Sequence, residues 1–266
     1  MNYYITTLCI GNKYLPIKQH WVNRVNEKCN KSEIVIFDNA SGFGNEGFNV
    51  NIFEFIWSYR WKHNLDLLTK YNKPVVMCDL DIIIEKDIDK LVDLPYDIII
   101  SREIGEEKSY PQDCSSKLGF GVCCGFMIVK PSANNFMNNI FSNMKMRKYN
   151  TYDDQVNVMK HIVNSKYSVN IEECSINDVL YKNNIINIDN IKICVLDFNI
   201  IIRDPLFTGP QIANHINIDN VGGVNNFIKY FYNKLEDLPL TCRCGKKHLG
   251  DNNKCPHIEE RVNSKE

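Results

Sequence analysis

Two carboxylates one residue apart, Asp79 and Asp81, close a run of apolar residues in Lys73–Glu85, KPVVMCDLDIIIE. The breaker Asn72-Lys73-Pro74 precedes the run, and Val75 to Cys78 read as a strand buried on both faces. Side chains alternate along a strand, so Asp79 and Asp81 project from the same side. Two acids in apolar surroundings are costly unless they are paired, hydrogen-bonded or neutralised by a cation. Hard oxygen ligands suit Mg²⁺ or Mn²⁺, so the chemistry on offer is divalent-metal binding. The same triplet can also do no more than close a strand at the surface.

The stretches that must position this pair follow in order. Tyr3–Ile10 reads as a first strand, with Gly11-Asn12-Lys13 turning out of it, and Ile17 to Val25 carry helical spacing after Pro16. Glu33–Phe37 is a second strand, and a strand, helix and strand in this order call for a parallel sheet. Ala40–Asn51 reads as loop and Ile52 to Lys70 as a helix leading into the acidic strand. Asp97–Ser101 and Gly121–Val129 are further buried strands, separated by Gly105–Leu118, a polar stretch with the length of a lid or binding loop. Asn134–Arg147 and Thr151–Val163 read as amphipathic helices, with Thr151 or Asp153 capping the second. Ile191–Ile202 holds strand-like runs, Gly209-Pro210 breaks the chain, Ala213–Asn217 carries His215, and Phe227–Leu235 is a last helix.

A net charge of −1 argues against general electrostatic binding to nucleic acid or to an anionic membrane. The cysteine count of 11 is odd, and Cys9, Cys78, Cys123, Cys124 and Cys194 sit inside apolar runs, which points to reduced thiols. The first strand starts after Met1-Asn2, leaving no room for a signal peptide. No apolar stretch approaches the roughly 20 residues of a membrane span. The expected setting is the cytoplasm.

Five motifs follow one another in order: TLCIGNKYLP, RWKHNLDLL before VVMCDLDIII, GVCCGFMIVKPS, YDDQVNVM, and NHIN followed by VGGVNNFIKYF. Together they resemble the retaining GT-A glycosyltransferases, the nucleotide-diphospho-sugar transferase group that includes glycogenin and bacterial galactosyltransferases. The resemblance implies an α/β fold of the GT-A type: a single domain over residues 1–235 with a Rossmann-like, mostly parallel sheet flanked by helices. It also implies transfer of a sugar, with retention, from a nucleotide-diphosphate donor such as a UDP-sugar to an acceptor hydroxyl on a glycan or protein. By resemblance Asp79 and Asp81 are the D-x-D that, with His215, holds Mn²⁺ or Mg²⁺. The nucleotide and donor would be met by Thr7, Leu8, Ile10, Asn12, Tyr14, Leu80, Gly125, Gly222 and Gly223, with positive charge from Arg60, Lys62 and Lys229. Lys62 has the better spacing to Asp79. Asp154 and Gln155 match the family's D-Q pair, an acid on the donor sugar and an amide near the anomeric carbon. Cys123 departs from the pattern, which usually has Asn there.

Two other functions stay open on the residues: a binding module that keeps the fold without turnover, and a sugar nucleotidyltransferase. The second fits GNKYLP poorly, because that turn holds a single Gly. Residues 236–266 form a Cys/His-rich tail, where four of Cys242, Cys244, His248, Cys255 and His257 can make a tetrahedral zinc site, with Cys242, Cys244, Cys255 and His257 the preferred set. Their C-x-C and C-x-H spacing is not that of common zinc fingers, so a flexible thiol-bearing tail is the alternative.

Overall fold

A computed structural model of the chain describes residues 2–38, 52–103, 110–197, 199–202, 211–216, 218, 223–231, 240–241 and 247–248. In chain order these form β1 (Tyr3–Cys9), α1 (Leu15–Lys28), β2 (Ser32–Asp38), α2 (Ile52–Tyr71), β3 (Val75–Cys78) and β4 (Ile82–Ile84). Next come α3 (Asp89–Val92), β5 (Ile98–Arg102), α4 (Gln112–Leu118), β6 (Val122–Val129), α5 (Asn134–Lys145) and α6 (Asp154–Val163). The chain continues with β7 (Tyr167–Ile176), β8 (Val179–Ile188), β9 (Ile191–Val195), β10 (Ile201–Ile202), β11 (Ala213–His215) and α7 (Val224–Phe231).

One large sheet has the order β2-β1-β3-β6-β5-β9-β8-β7. Its pairings make β1, β2, β3, β5, β7 and β9 run one way, and β6 and β8 the other. This is the mostly parallel α/β sheet implied by the sequence. β1 lies between β2 and β3, so the chain leaves β1 to one side through α1 and returns past it through α2. Alternation splits the side chains of the central strands between two faces. Tyr3, Ile5, Val76 and Cys78 pack with Ile17, Trp21 and Val25 of α1. Tyr4, Val75 and Met77 pack with Trp61, Leu65 and Leu68 of α2 on the opposite face. The carboxyl ends of β1 and β3 therefore open onto the crevice where strand order reverses, the usual ligand position in such sheets.

A small sheet, β10-β11-β4, ties the far end of the chain to this crevice. β11 runs antiparallel to β4, with His215 opposite Ile82 and Ala213 opposite Ile84.

The last helix, read from Phe227, starts earlier, at Val224, and two longer stretches also differ from the sequence reading. Within the segment read as a polar loop, Gln112–Leu118 is helix α4. Its Cys114, Ser115 and Leu118 are buried on one face, and Gly119 at φ 79° ends it by donating to the Ser115 carbonyl at 2.8 Å. Residues 164–190 drew no assignment, yet β7 and β8 form a long antiparallel hairpin there. Asn177 and Asp178 both take positive φ in its two-residue turn, and Asp189 and Asn190 repeat the device before β9. The readings at Ala40–Asn51, residues 105–109 and Gly209-Pro210 lie outside the described residues, as do most of the tail and its Cys242, Cys244, Cys255 and His257. Among the described residues no helix is long and apolar enough to cross a membrane.

Trp21, on α1 and 1% exposed, fills the core beneath β1 and β3. Trp21→Ala is expected to lower unfolding stability by about 3–5 kcal/mol, as buried aromatic truncations do. Urea denaturation followed by circular dichroism measures it, and a loss below about 1 kcal/mol would contradict this packing.

Candidate metal and donor site

Asp79 and Asp81 stand just beyond β3, where the backbone turns into β4. The Asp79 amide donates to the Gly125 carbonyl at 2.7 Å, and the Ile216 amide donates to the Asp81 carbonyl at 3.0 Å. The first bond ties the acids to β6, and the second extends the β4–β11 ladder. That ladder sets His215 Nε2 3.2 Å from Asp81 Oδ1 and 4.0 Å from Asp79 Oδ2. One ligand atom from each of the three residues lies within 4.8 Å of the others.

Electrostatics explain why charge gathers here. Burial, together with the neighbouring Asp81 carboxylate, pushes Asp79 up from the ordinary carboxylate range, against the pull of Arg60. Burial works against a charged His215, but Asp81 and then Cys123 outweigh it and push the imidazole up to about 10. The two acids thus attract positive charge, which the Arg60 guanidinium and the His215 imidazole bring to them. A divalent cation fits the same place, with two hard oxygens and one imidazole nitrogen as donors.

Gly125 makes this closeness feasible. A Cβ at this position would lie 2.7 Å from His215 Cε1 and 2.8 Å from Asp79 Oδ2, distances that real Cβ atoms do not adopt. The strand is shaped for the purpose: Ile100 pairs with Met127 and Ser101 with Cys123, so Cys124–Phe126 form a bulge without partners in β5. Ser101 Oγ donates to the Cys123 carbonyl at 2.7 Å and fixes the start of the bulge.

Arg60 connects this cluster to a second acid. Its guanidinium bonds Asp79 through Nη1 and Asp154 through Nη2, and Nη2 also donates to the Cys124 carbonyl at 3.3 Å. Burial opposes the charge on Arg60, yet Asp154 and Asp79 hold it above its ordinary range. Asp154 begins α6 and is 4% exposed. Trp61 Nε1 donates to its Oδ2 at 3.1 Å, and the Gln155 amide donates to its Oδ1 at 2.8 Å. Asp153 caps the helix by accepting from the Val156 amide at 2.8 Å, while Thr151 Oγ1 accepts from the Asp153 amide at 3.0 Å. Gln155 Nε2 donates to the Tyr110 carbonyl at 2.6 Å.

Asp79, Asp81, His215, Gly125, Arg60 and Asp154 are therefore brought together, with Leu80 buried between the two acids. Lys62 is not: its Nζ pairs with Asp66 at 2.6 Å on the exposed side of α2. A two-residue step turns a helix by more than half a turn, so Arg60 and Lys62 cannot share a face. Thr7, Leu8, Ile10, Asn12 and Tyr14 line the end of β1 and the turn after it, where Gly11 takes φ 92°. The Thr7 hydroxyl is buried and has no partner among the described residues. Gly223, at φ 103°, precedes α7, while Gly222 and the Lys229 side chain lie outside the described residues. Trp61 and Tyr110 escaped the sequence reading. Trp61 looks like one more apolar residue of an apolar helix, and Tyr110 contributes a backbone atom that no side-chain pattern announces.

Among solved structures, a galactosyltransferase, LgtC, crystallised with donor and acceptor sugar analogues, aligns over 86% of this chain and 95% of its own, with 10% identity and a TM-score of 0.51. A glycosyltransferase involved in glycosylation of the major capsid of PBCV-1 aligns over 61% of this chain and 76% of its own, with 14% identity and a TM-score of 0.45. The likeness to the first, at 10% identity, speaks to the fold alone, and the second carries no argument. No curated protein sequence matches the chain. The family model for nucleotide-diphospho-sugar transferases, however, matches residues 33–207, well over half of the sequence and a span that includes both acids, Arg60 and the Asp154-Gln155 pair. The chain belongs to the nucleotide-diphospho-sugar transferase family, and it is a glycosyltransferase.

Proposed function

We propose that this protein transfers a sugar from a UDP-sugar to an acceptor hydroxyl on a glycan or protein, in the presence of Mn²⁺, with retention of anomeric configuration. The observation that carries the reading is the convergence of Asp79, Asp81 and His215 around a gap kept open by Gly125. These three residues would hold the cation, and an imidazole among the donors favours Mn²⁺ over Mg²⁺. Bound there, it would supply Lewis-acid stabilisation of the diphosphate leaving group.

The chain's own residues would do the rest by position. The turn after β1, with Thr7, Leu8, Ile10, Asn12 and Tyr14, would take the nucleoside at the strand-order reversal. Gly222, Gly223 and Lys229 would face the diphosphate, where backbone amides and a cation suit phosphate oxygens. Arg60 and Asp154 act as one unit, so a sugar hydroxyl that meets Asp154 also senses the charge balance at Asp79. Gln155 is a poor nucleophile, and its amide nitrogen is occupied by the Tyr110 carbonyl. That leaves the carbonyl end to stabilise positive charge developing at the anomeric carbon. In the resulting front-face route the anomeric carbon–phosphate oxygen bond breaks, and the acceptor oxygen bonds the same face. The acceptor's proton passes to the departing phosphate oxygen. Orientation and fixed charge then supply most of the rate. A reducing, cytoplasmic setting is consistent with the eight described cysteines, none of which forms a disulfide.

Slow hydrolysis of the donor without acceptor, scored over a panel of UDP-sugars with Mn²⁺, tests transfer chemistry directly. Asp81→Asn and His215→Ala should each lower that hydrolysis by at least about a hundredfold, given several kcal/mol of lost charge stabilisation. Both should also abolish the rise in melting temperature that Mn²⁺ gives the wild type. Hydrolysis and thermal shift that survive both changes would overturn the assignment.

Gly125→Ala should weaken Mn²⁺ binding by at least about tenfold, since its methyl occupies the space between His215 and Asp79. Isothermal titration calorimetry with Mn²⁺ measures this. Unchanged affinity would show that the gap at Gly125 is incidental.

A further inference from the structure

The carboxylates touch one nitrogen of His215, and the other nitrogen meets a different group. Cys123 Sγ, on β6, lies 3.7 Å from His215 Nδ1, with both side chains buried. The atom facing Asp81 is Nε2, at 3.2 Å. An imidazole that offers one nitrogen's lone pair to a metal carries its hydrogen on the other nitrogen. When buried, that N–H needs an acceptor, and metal-binding histidines ordinarily give it to a carboxylate, a carbonyl or water. Here sulfur stands in that place, a weak acceptor with a large radius. Its own placement is fixed by the backbone, because the Ser101 hydroxyl holds the Cys123 carbonyl at the bulge. His215 is fixed from its side by the β4–β11 ladder. The thiol and the ring therefore meet through two independently anchored strands.

We propose that Cys123 is a positioning residue for His215: its sulfur accepts the Nδ1 hydrogen and thereby keeps Nε2 turned toward Asp79 and Asp81. The inference rests on the reading of those three residues as a cation site. It also gives the buried thiol a task distinct from packing. A sulfur that only filled space could be replaced by Val or Ala at little cost to the ring's orientation, because these bracket its bulk and lack its lone pairs. Ser, although smaller, keeps an acceptor.

The test compares the wild-type full chain with Cys123→Val and Cys123→Ser, with Mn²⁺ affinity measured by electron paramagnetic resonance of the free ion. Cys123→Val should weaken binding on the order of tenfold, the size of effect seen when a metal-bound histidine loses its outer partner. Cys123→Ser should stay close to wild type. Equal affinity in all three, or an equal loss in Val and Ser, overturns the proposal. If Cys123→Val fails to fold, Cys123→Ala serves as the variant without an acceptor. A second readout needs no metal: ¹⁵N resonances of His215, assigned with His215→Gln, should shift at Nδ1 in the Val variant and not in the Ser variant. Wild-type protein that binds no Mn²⁺ overturns the cation-site reading instead, and the nitrogen resonances then decide whether Cys123 holds the ring.

Discussion

The constraint on which the site depends is the cost of placing two carboxylates side by side at the end of a buried strand. Asp79 and Asp81 cannot both be ionised there without positive charge close by. The fold delivers that charge from two directions. Arg60 arrives from α2 on one side and reaches Asp79, while His215 arrives on β11 from the other and reaches Asp81. Arg60 then passes the balance on to Asp154 at the start of α6. Five charged groups, Asp79, Asp81, Arg60, His215 and Asp154, thus form one electrostatic unit, and a change at any of them is felt by the rest.

Each arrival has its own structural cause. α2 can bring Arg60 inward because Thr6 and Asn64 pin that helix to β1. Thr6 Oγ1 donates to Asn64 Oδ1 at 2.6 Å, and Asn64 Nδ2 donates to the Arg60 carbonyl at 2.7 Å. Such buried pairs fix the rotation of a helix whose apolar residues alone would leave it undetermined. β11 can bring His215 inward because it has a partner in β4, the strand that begins one residue after Asp81. The bulge of β6 clears the space between the two, and Gly125 contributes the absence of a side chain. Chemistry and fold meet in that gap.

Much of this was legible in the residues themselves. The apolar block before Asp79, the alternation that puts both acids on one side, and the buried strands around them are direct consequences of strand geometry. A cap at Thr151 or Asp153 was readable from side-chain oxygens placed just before an apolar helical run, and Asp153 is the one that caps. What escaped depends on relations between segments. Along the chain Lys62 has the better spacing to Asp79, and only the rotation of α2 turns Arg60 inward instead. The β7–β8 hairpin mixes Asn, Glu and Lys with its apolar residues, so its alternation is faint, although the Asn177-Asp178 turn was a usable signal. The contact of Cys123 with His215 joins two strands that have no direct pairing, and no local pattern encodes it.

The account stands or falls on whether one cation occupies the space among Asp79, Asp81 and His215. A crystal grown with Mn²⁺ and UDP, with anomalous scattering recorded at the manganese edge, addresses this most directly. The account predicts a single strong peak within coordinating distance of Asp81 and His215 Nε2, with diphosphate oxygens completing the shell. A peak elsewhere, or UDP bound with His215 still hydrogen-bonded to Asp81 and no metal between them, would contradict it.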